Sequence, residues 1–238
     1  MDKMQLDKHI YQQYDSELEA LQTKLLAMGG IVEQQIKDAV NSIENADSDL
    51  AEKVIRIEDD VDLREVALDH DCTTVLACRQ PTASDLRLVL AVAKMTRDLE
   101  RMGDEAQKIA KMAISLNQSG AAPGGYEEVR HMGTLVQNMV HNALDAFARF
   151  DAIRAVEVAR ADKQVDREYK SAMRELMTYM MEDPRSISRA MNILWTLRSL
   201  ERIGDHTRNI AEHIIFLVKG MDVRHKSVSD IESKVKGD

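Results

Sequence analysis

The sequence has few of the residues that build disulfide scaffolds, β-sandwiches and membrane spans. Of its 238 residues, two are cysteine, three are proline, ten are glycine and 4 % are aromatic. Sandwiches and barrels of many short strands need more turn-forming and aromatic residues than this. The longest apolar runs, at residues 88–93 and 214–218, are far shorter than the ~18 residues of a membrane-spanning helix. The composition therefore predicts neither an all-β fold nor a membrane-spanning helix.

The two cysteines, Cys72 and Cys78, are too far apart along a helix to form a disulfide. A separation of six residues corresponds to a rise of roughly 9 Å and to different helix faces. A disulfide needs Cα atoms closer than about 7 Å. With no further cysteine, a zinc knuckle is excluded as well. We expect both thiols to be reduced.

The charge balance is acidic. Lysine and arginine number 32 against 41 aspartate and glutamate residues, which gives a formal net charge of −9. A nucleic-acid-binding protein needs a basic face, so we expect no nucleic-acid partner. The first ten residues, MDKMQLDKHI, contain no apolar signal core, which predicts a cytoplasmic location. Charged residues at 31 % and hydrophobic residues at 44 % favour long amphipathic helices.

Apolar residues recur every three to four positions in six long stretches, and the pattern of the first half is repeated in the second. The segment LERMGD at 99–104 matches LERIGD at 200–205, and Pro81 matches Pro184. The sequence therefore predicts an all-α fold of six long helices, arranged as two related three-helix bundles. We place the first bundle at 1–116, a linker at 117–126 (NQSGAAPGGY), the second bundle at 127–219 and a flexible, charged tail at 220–238.

Each half carries two acidic pairs spaced four residues apart, a spacing that puts both side chains on one helix face. The pairs are Glu58 with Asp62, Glu100 with Asp104, Asp162 with Asp166, and Glu201 with Asp205. Pairs on adjacent helices are expected to converge on one patch of the bundle surface. Acidic pairs are often only a solvated helix face. Each repeat, however, also places a glycine beside its pair, Gly103 or Gly204, at a cost of about 1 kcal/mol relative to alanine. The duplication therefore favours two metal sites with oxygen ligands, suited to Mg²⁺, Mn²⁺ or iron.

The histidines do not indicate a di-iron oxidase. A di-iron carboxylate bundle needs Glu-x-x-His on two helices, and the spacing occurs once, at Glu128 and His131. His206 follows Asp205 directly. It could be a metal ligand or a phosphate acceptor, and we interpret it as a solvent-facing side chain. The sequence contains no glycine-rich phosphate loop and no nucleotide-binding fingerprint.

Specific segments of the sequence resemble the PhoU family of bacterial phosphate-transport regulators over essentially the whole chain. They are LDKHI at 6–10, MGG at 28–30 with VEQQ at 32–35, RQPTASDLRLV at 79–89, and both Glu-Arg-x-Gly-Asp segments. The resemblance implies two three-helix bundles, often in a homodimer, and metal clusters at the four acidic pairs. The second half departs from the pattern where Tyr169 and Met173 replace Glu65 and Asp69, so the two sites are expected to differ.

The resemblance also implies a function. PhoU-like proteins are cytoplasmic and not enzymes, reach the membrane only through their partners, and modulate phosphate uptake. They repress the phosphate-starvation response when phosphate is plentiful. They are thought to do so by bridging the ATPase subunit of the phosphate ABC transporter and a sensor histidine kinase. The alternative function is a metal-dependent enzyme or a metal store built on a helical bundle.

Overall fold

The computed structural model of the chain describes residues 12–118, 126–224 and 226–236, and helices account for nearly all of them. The α-helices are α1 (Gln12–Glu44), α2 (Ser48–Arg79), α3 (Ala83–Gln118), α4 (Glu127–Ala148), α5 (Ala152–Glu182), α6 (Ile187–Lys219) and α7 (Val228–Lys236), with a 3₁₀ turn at Pro184–Ser186. The all-α prediction is confirmed. The described residues contain the six predicted long helices and a short seventh helix, α7, that was not predicted.

Matching capping residues start the second helix of each half. Asp47 precedes α2 and its carboxylate accepts a hydrogen bond from the Leu50 amide at 2.9 Å. Asp151 precedes α5 and accepts from the amides of Ile153 and Arg154. An acidic N-cap satisfies amides that have no partner within the helix. At the other end of the second half, α6 stops at Gly220, whose φ of 68° is a left-handed conformation that favours glycine.

The helices pack in two groups of three that also pack on each other. Helices α1, α2 and α3 contact one another, and so do α4, α5 and α6. Across the two groups, α3 packs along α6 and α1 packs on α4. The second of these contacts depends on Gly29, because a Cβ atom there would lie 2.4 Å from Leu144 Cδ2. Gly29 thus marks a close contact between two helices.

The end of the chain is more ordered than its composition predicts. Helix α7 packs against α5, with Ile231 fully buried and Val235 3 % exposed. An ion pair between Arg160 and Glu232 joins the same two helices. The prediction of a flexible tail at 220–238 is therefore wrong for residues 228–236, because a short amphipathic helix finds an apolar surface there. Residues 225 and 237–238 lie outside the described residues, as does most of the predicted linker, 119–125.

The cysteines and the hydropathy of the helices bear on the expectations of reduced thiols and of no membrane-spanning helix. Cys72 is buried, Cys78 is exposed, and both are free thiols, as the spacing predicts. Within the described ranges, none of the helices combines the length and the hydropathy needed to cross a bilayer.

Candidate metal centres and the interface between the bundles

The acidic pairs of α2 and α3 converge around Glu58, which is only 4 % exposed. Burial, together with the nearby charges of Asp104, Asp62 and Glu100, raises the pKa of Glu58 to about 7. One hydrogen bond, donated by Gln35 Nε2 to Glu58 Oε2 over 2.6 Å, opposes this rise in pKa. The structure therefore brings the four predicted residues of the first half into one electrostatically coupled cluster.

Two buried oxygen atoms in this first cluster have no hydrogen-bond partner among the described residues. They are Glu58 Oε1 and the amide oxygen of Gln35. A buried acceptor without a donor costs about 1–3 kcal/mol, so such atoms call for a proton, a water molecule or a cation. The donor set is chemically suited to a hard cation, because the side chains that converge on Glu58 are carboxylates and one amide, all of which carry oxygen atoms.

The acidic pairs of α5 and α6 converge more tightly. One carboxylate oxygen from each of Asp162, Asp166 and Asp205 lies within 4.8 Å of the others. Asp162 is the buried member at 3 % exposure, and burial with the charges of Asp205 and Asp166 raises its pKa to about 6. The fourth predicted residue, Glu201, is held aside, because its Oε1 accepts from Arg198 Nη1 at 2.6 Å. Its Oε2 is buried and has no hydrogen-bond partner within the described part of the chain.

The two clusters differ in what contacts the inner carboxylate. Glu58 accepts a hydrogen bond from a neutral amide, that of Gln35 on α1. Asp162 instead faces a guanidinium, Arg208 of α6, at 3.4 Å from Nη1 to Oδ2. Arg208 offsets part of the negative charge of the second cluster, and Arg101 does the same beside Glu100 in the first, so the clusters differ in the group that contacts the buried carboxylate. This contrast agrees with the expectation that the two sites differ, although the residues responsible are not those singled out in the sequence.

The two duplicated glycines have different roles. A Cβ atom on Gly103 would lie 2.7 Å from Glu58 Oε2 and 3.0 Å from Oε1, closer than real contacts allow. A Cβ atom on Gly204 would have Val165 as its nearest neighbour at 3.4 Å and Asp162 Oδ1 at 3.6 Å, which is ordinary contact. Because Gly103 has no side chain, the buried carboxylate of Glu58 can lie against the backbone of α3.

A polar cluster that the sequence did not predict joins the two bundles. Asp98 of α3 is 8 % exposed and faces α6, where His206 Nδ1 lies 2.9 Å away, Asn209 Nδ2 lies 3.2 Å away and His213 Nε2 lies 3.3 Å away. Burial alone would raise the pKa of Asp98, but the hydrogen bonds from the three α6 side chains outweigh it and lower that pKa. The interpretation of His206 as solvent-facing is wrong. The signal was present in the spacing of 206, 209 and 213, which puts three polar residues on one helix face.

These features define the class of the protein as a duplicated all-α scaffold in which each half carries a carboxylate cluster with one buried member. The PhoU domain family model matches residues 25–113 and 129–214. The chain belongs to the PhoU family, as the motifs in its sequence indicated.

Relatives and solved structures extend this match to nearly the full length. A Pseudomonas aeruginosa protein named phosphate-specific transport system accessory protein PhoU homolog is 57 % identical over 236 residues, covering 99 % of this chain and 98 % of its own. The Escherichia coli K12 protein named phosphate-specific transport system accessory protein PhoU is 45 % identical over 237 residues, covering 100 % and 98 %.

Among crystal structures, PhoU from Pseudomonas aeruginosa has a TM-score of 0.86 at 59 % identity and covers 88 % of this chain and 100 % of its own. The phosphate transport system regulatory protein PhoU from Streptococcus pneumoniae has a TM-score of 0.82 at 31 % identity, covering 89 % and 99 %.

Proposed function

We propose that this chain is a non-enzymatic cytoplasmic regulator of phosphate homeostasis, accessory to a phosphate-specific transport system. It represses the phosphate-starvation response when phosphate is plentiful, and it modulates phosphate uptake. It does so by binding the ATPase subunit of the phosphate ABC transporter and a sensor histidine kinase, and it acts as a homodimer. The observation that carries this proposal is family membership along nearly the whole chain, with relatives whose names state an accessory or regulatory role.

Regulation by contact requires only that binding favours one state of the kinase over another. A preference of roughly 1–3 kcal/mol changes an equilibrium between states by about 5- to 150-fold. The long helices present extended polar faces, and electrostatic complementarity across such a face sets orientation and specificity. No bond of a substrate has to be broken for this mechanism to work.

A deletion strain tests the regulatory role. A reporter for a phosphate-starvation gene should stay switched on in the deletion strain at ample phosphate, and a plasmid copy of the wild-type chain should silence it again. A reporter that stays silent in the deletion strain would reject the regulatory function. Co-purification from phosphate-replete cells, repeated after chelation, then identifies which partners depend on metal.

We also propose that the two carboxylate clusters bind divalent or trivalent cations of the Mg²⁺, Mn²⁺ or iron type, through Glu58, Asp62, Glu100 and Asp104 in one and Asp162, Asp166, Glu201 and Asp205 in the other. The three converging oxygen atoms of the second cluster support this proposal. They also keep open the second function, a metal-dependent enzyme or a metal store. Turnover assays for oxidase and hydrolase activity with added Mn²⁺ or Fe²⁺ separate the two functions.

The metal proposal is tested by a matched pair of double variants. Asp166→Asn with Asp205→Asn keeps the side-chain shapes and removes two negative charges from the second cluster. Asp59→Asn with Asp60→Asn removes two charges from exposed positions of α2 outside either cluster. Elemental analysis after Mn²⁺ loading should give a lower metal content for the first double variant and an unchanged content for the second. An equal content in both variants would mean that the second cluster is only a solvated acidic surface.

A further inference from the structure

Helix α4, the first helix of the second bundle, is shorter than its counterpart α1 in the first bundle. Helix α4 has 22 residues and α1 has 33, whereas the paired helices α5 and α6 are about as long as α2 and α3. Eleven missing residues correspond to three helical turns, or roughly 16 Å. The ends of α5 and α6 nearest the 3₁₀ turn therefore project beyond α4.

In the first bundle, the three extra turns of α1 cover the equivalent surface. Tyr14 donates a hydrogen bond to Asp85 at the start of α3, and Glu17 pairs with Arg79 at the end of α2 at 2.5 Å. Two helical turns further on, Lys24 pairs with Asp71 of α2 at 2.6 Å. Leu18 and Leu21, which are 1 % and 2 % exposed, fill the space between the two helices.

In the second bundle, the described residues leave the same surface as an open cleft of about 500 Å³. Its apolar lining comes from both projecting helix ends and consists of Leu176, Tyr179, Ala190 and Ile193. Tyr179 is 50 % exposed, which for an aromatic ring facing a cleft leaves a large apolar area uncovered.

The charge around the cleft differs from that of the covered surface. Arg79, the last residue of α2, forms an ion pair with Glu17. The last residue of α5 is Glu182, which has the opposite charge and lines the cleft. Glu175, two helical turns before Glu182, and Glu128 of α4 add two more carboxylates to the lining. Arg189 also lines the cleft, and its guanidinium is held by the Tyr126 hydroxyl at 3.1 Å. A helix that binds here must therefore present basic side chains to α5.

We propose that this cleft receives an amphipathic helix of about three turns from a partner protein, with apolar residues between α5 and α6 and basic residues seven positions apart facing Glu175 and Glu182. The first bundle supplies the geometric template, and the carboxylates of the second supply the charge preference. A second copy of this chain fits less well, because its net charge of −9 opposes association at an acidic rim. The proposal rests on the proposed function in that it gives the regulator a surface for partner binding.

Two peptides and a charge reversal test the proposal on the full-length chain. The first peptide is a labelled copy of residues 13–28 of this chain, which carries Glu17, and the second is the same peptide with Glu17→Lys. Fluorescence anisotropy should show that the lysine peptide binds wild-type protein about fivefold or more tightly than the glutamate peptide. The Glu182→Arg variant, which restores the charge found at Arg79, should reverse that preference. Tyr179→Ser should weaken both peptides, and circular dichroism checks that each variant is folded.

Equal binding of the two peptides, no binding of either, or a preference that Glu182→Arg leaves unchanged would overturn the proposal. A dimer in sedimentation experiments that Tyr179→Ser dissociates would also overturn it, because a second copy would then occupy the cleft. These measurements use purified protein alone. Their failure would leave the reporter result of the deletion strain as it stands, so the failure of this proposal and of the proposed function are distinguishable.

Discussion

The buried carboxylate Glu58 should make metal-free protein less stable at pH 8 than at pH 5. Its pKa of about 7 lies well above the ordinary value of 4.5, so the folded state keeps a proton that the unfolded state releases. The stabilisation from this proton is complete below pH 4.5 and is lost as the pH rises through 7. The gap between the two pKa values corresponds to about 3 kcal/mol at most. Since neighbouring carboxylates of the cluster reach solvent, which screens the charge, we expect about 1–3 kcal/mol.

The substitution Glu58→Gln removes the ionisable group and should abolish its contribution to the loss of stability between pH 5 and pH 8. A glutamine side chain can accept the hydrogen bond from Gln35 Nε2, and its own amide nitrogen can donate to the Gln35 oxygen that lacks a partner. Urea unfolding in the presence of EDTA measures the free energy of unfolding of both proteins at pH 5 and at pH 8. The advantage of the variant should grow by about 1–3 kcal/mol between the two pH values.

A matched control separates this effect from general charge removal. Asp59→Asn changes the adjacent, exposed carboxylate, and its effect on unfolding should be the same at both pH values. If the Glu58→Gln difference is also the same at pH 5 and pH 8, the reasoning from burial is refuted. Added Mn²⁺ should stabilise the wild type at pH 8 more than it stabilises Glu58→Gln, because only the second cluster is intact in the variant.

Four further substitutions test the packing. Gly103→Ala should destabilise the protein by about 1–3 kcal/mol, because its Cβ atom would collide with Glu58. Gly204→Ala should be neutral or stabilising by up to about 1 kcal/mol; equal urea midpoints for the two would contradict the distances. Asp98→Ala should cost about 1–3 kcal/mol at pH 7 by leaving the α6 histidines unpaired. This cost should shrink as the pH falls through the lowered pKa of Asp98, and a thermal-unfolding series from pH 7 to pH 3 measures the trend. Ile231→Ala should cost about 2–5 kcal/mol if α7 is part of the core, and no change in melting temperature would show that it is not.

Local features of this protein were predictable because they depend on neighbours in the sequence. Apolar periodicity is a property of a single helix, and it gave the six long helices and the all-α class. The N-cap at Asp47 and the helix-ending Pro184 act within a few residues of themselves. The duplication was visible as repeated letters, and with it the positions of the acidic pairs.

Only the tertiary structure decided which of these features meet. Glu58 and Asp162 are the buried members of their clusters because of where α3 and α6 cross them, and no spacing within one helix encodes that crossing. Asp98 and His213 are 115 positions apart, and the packing of α3 along α6 alone brings them together. A short helix such as α7 has too few turns for its pattern to be distinctive, so its burial depends on the apolar surface that α5 offers. The open cleft follows from a difference in length between two helices, and it has a meaning only when one bundle is compared with the other in three dimensions.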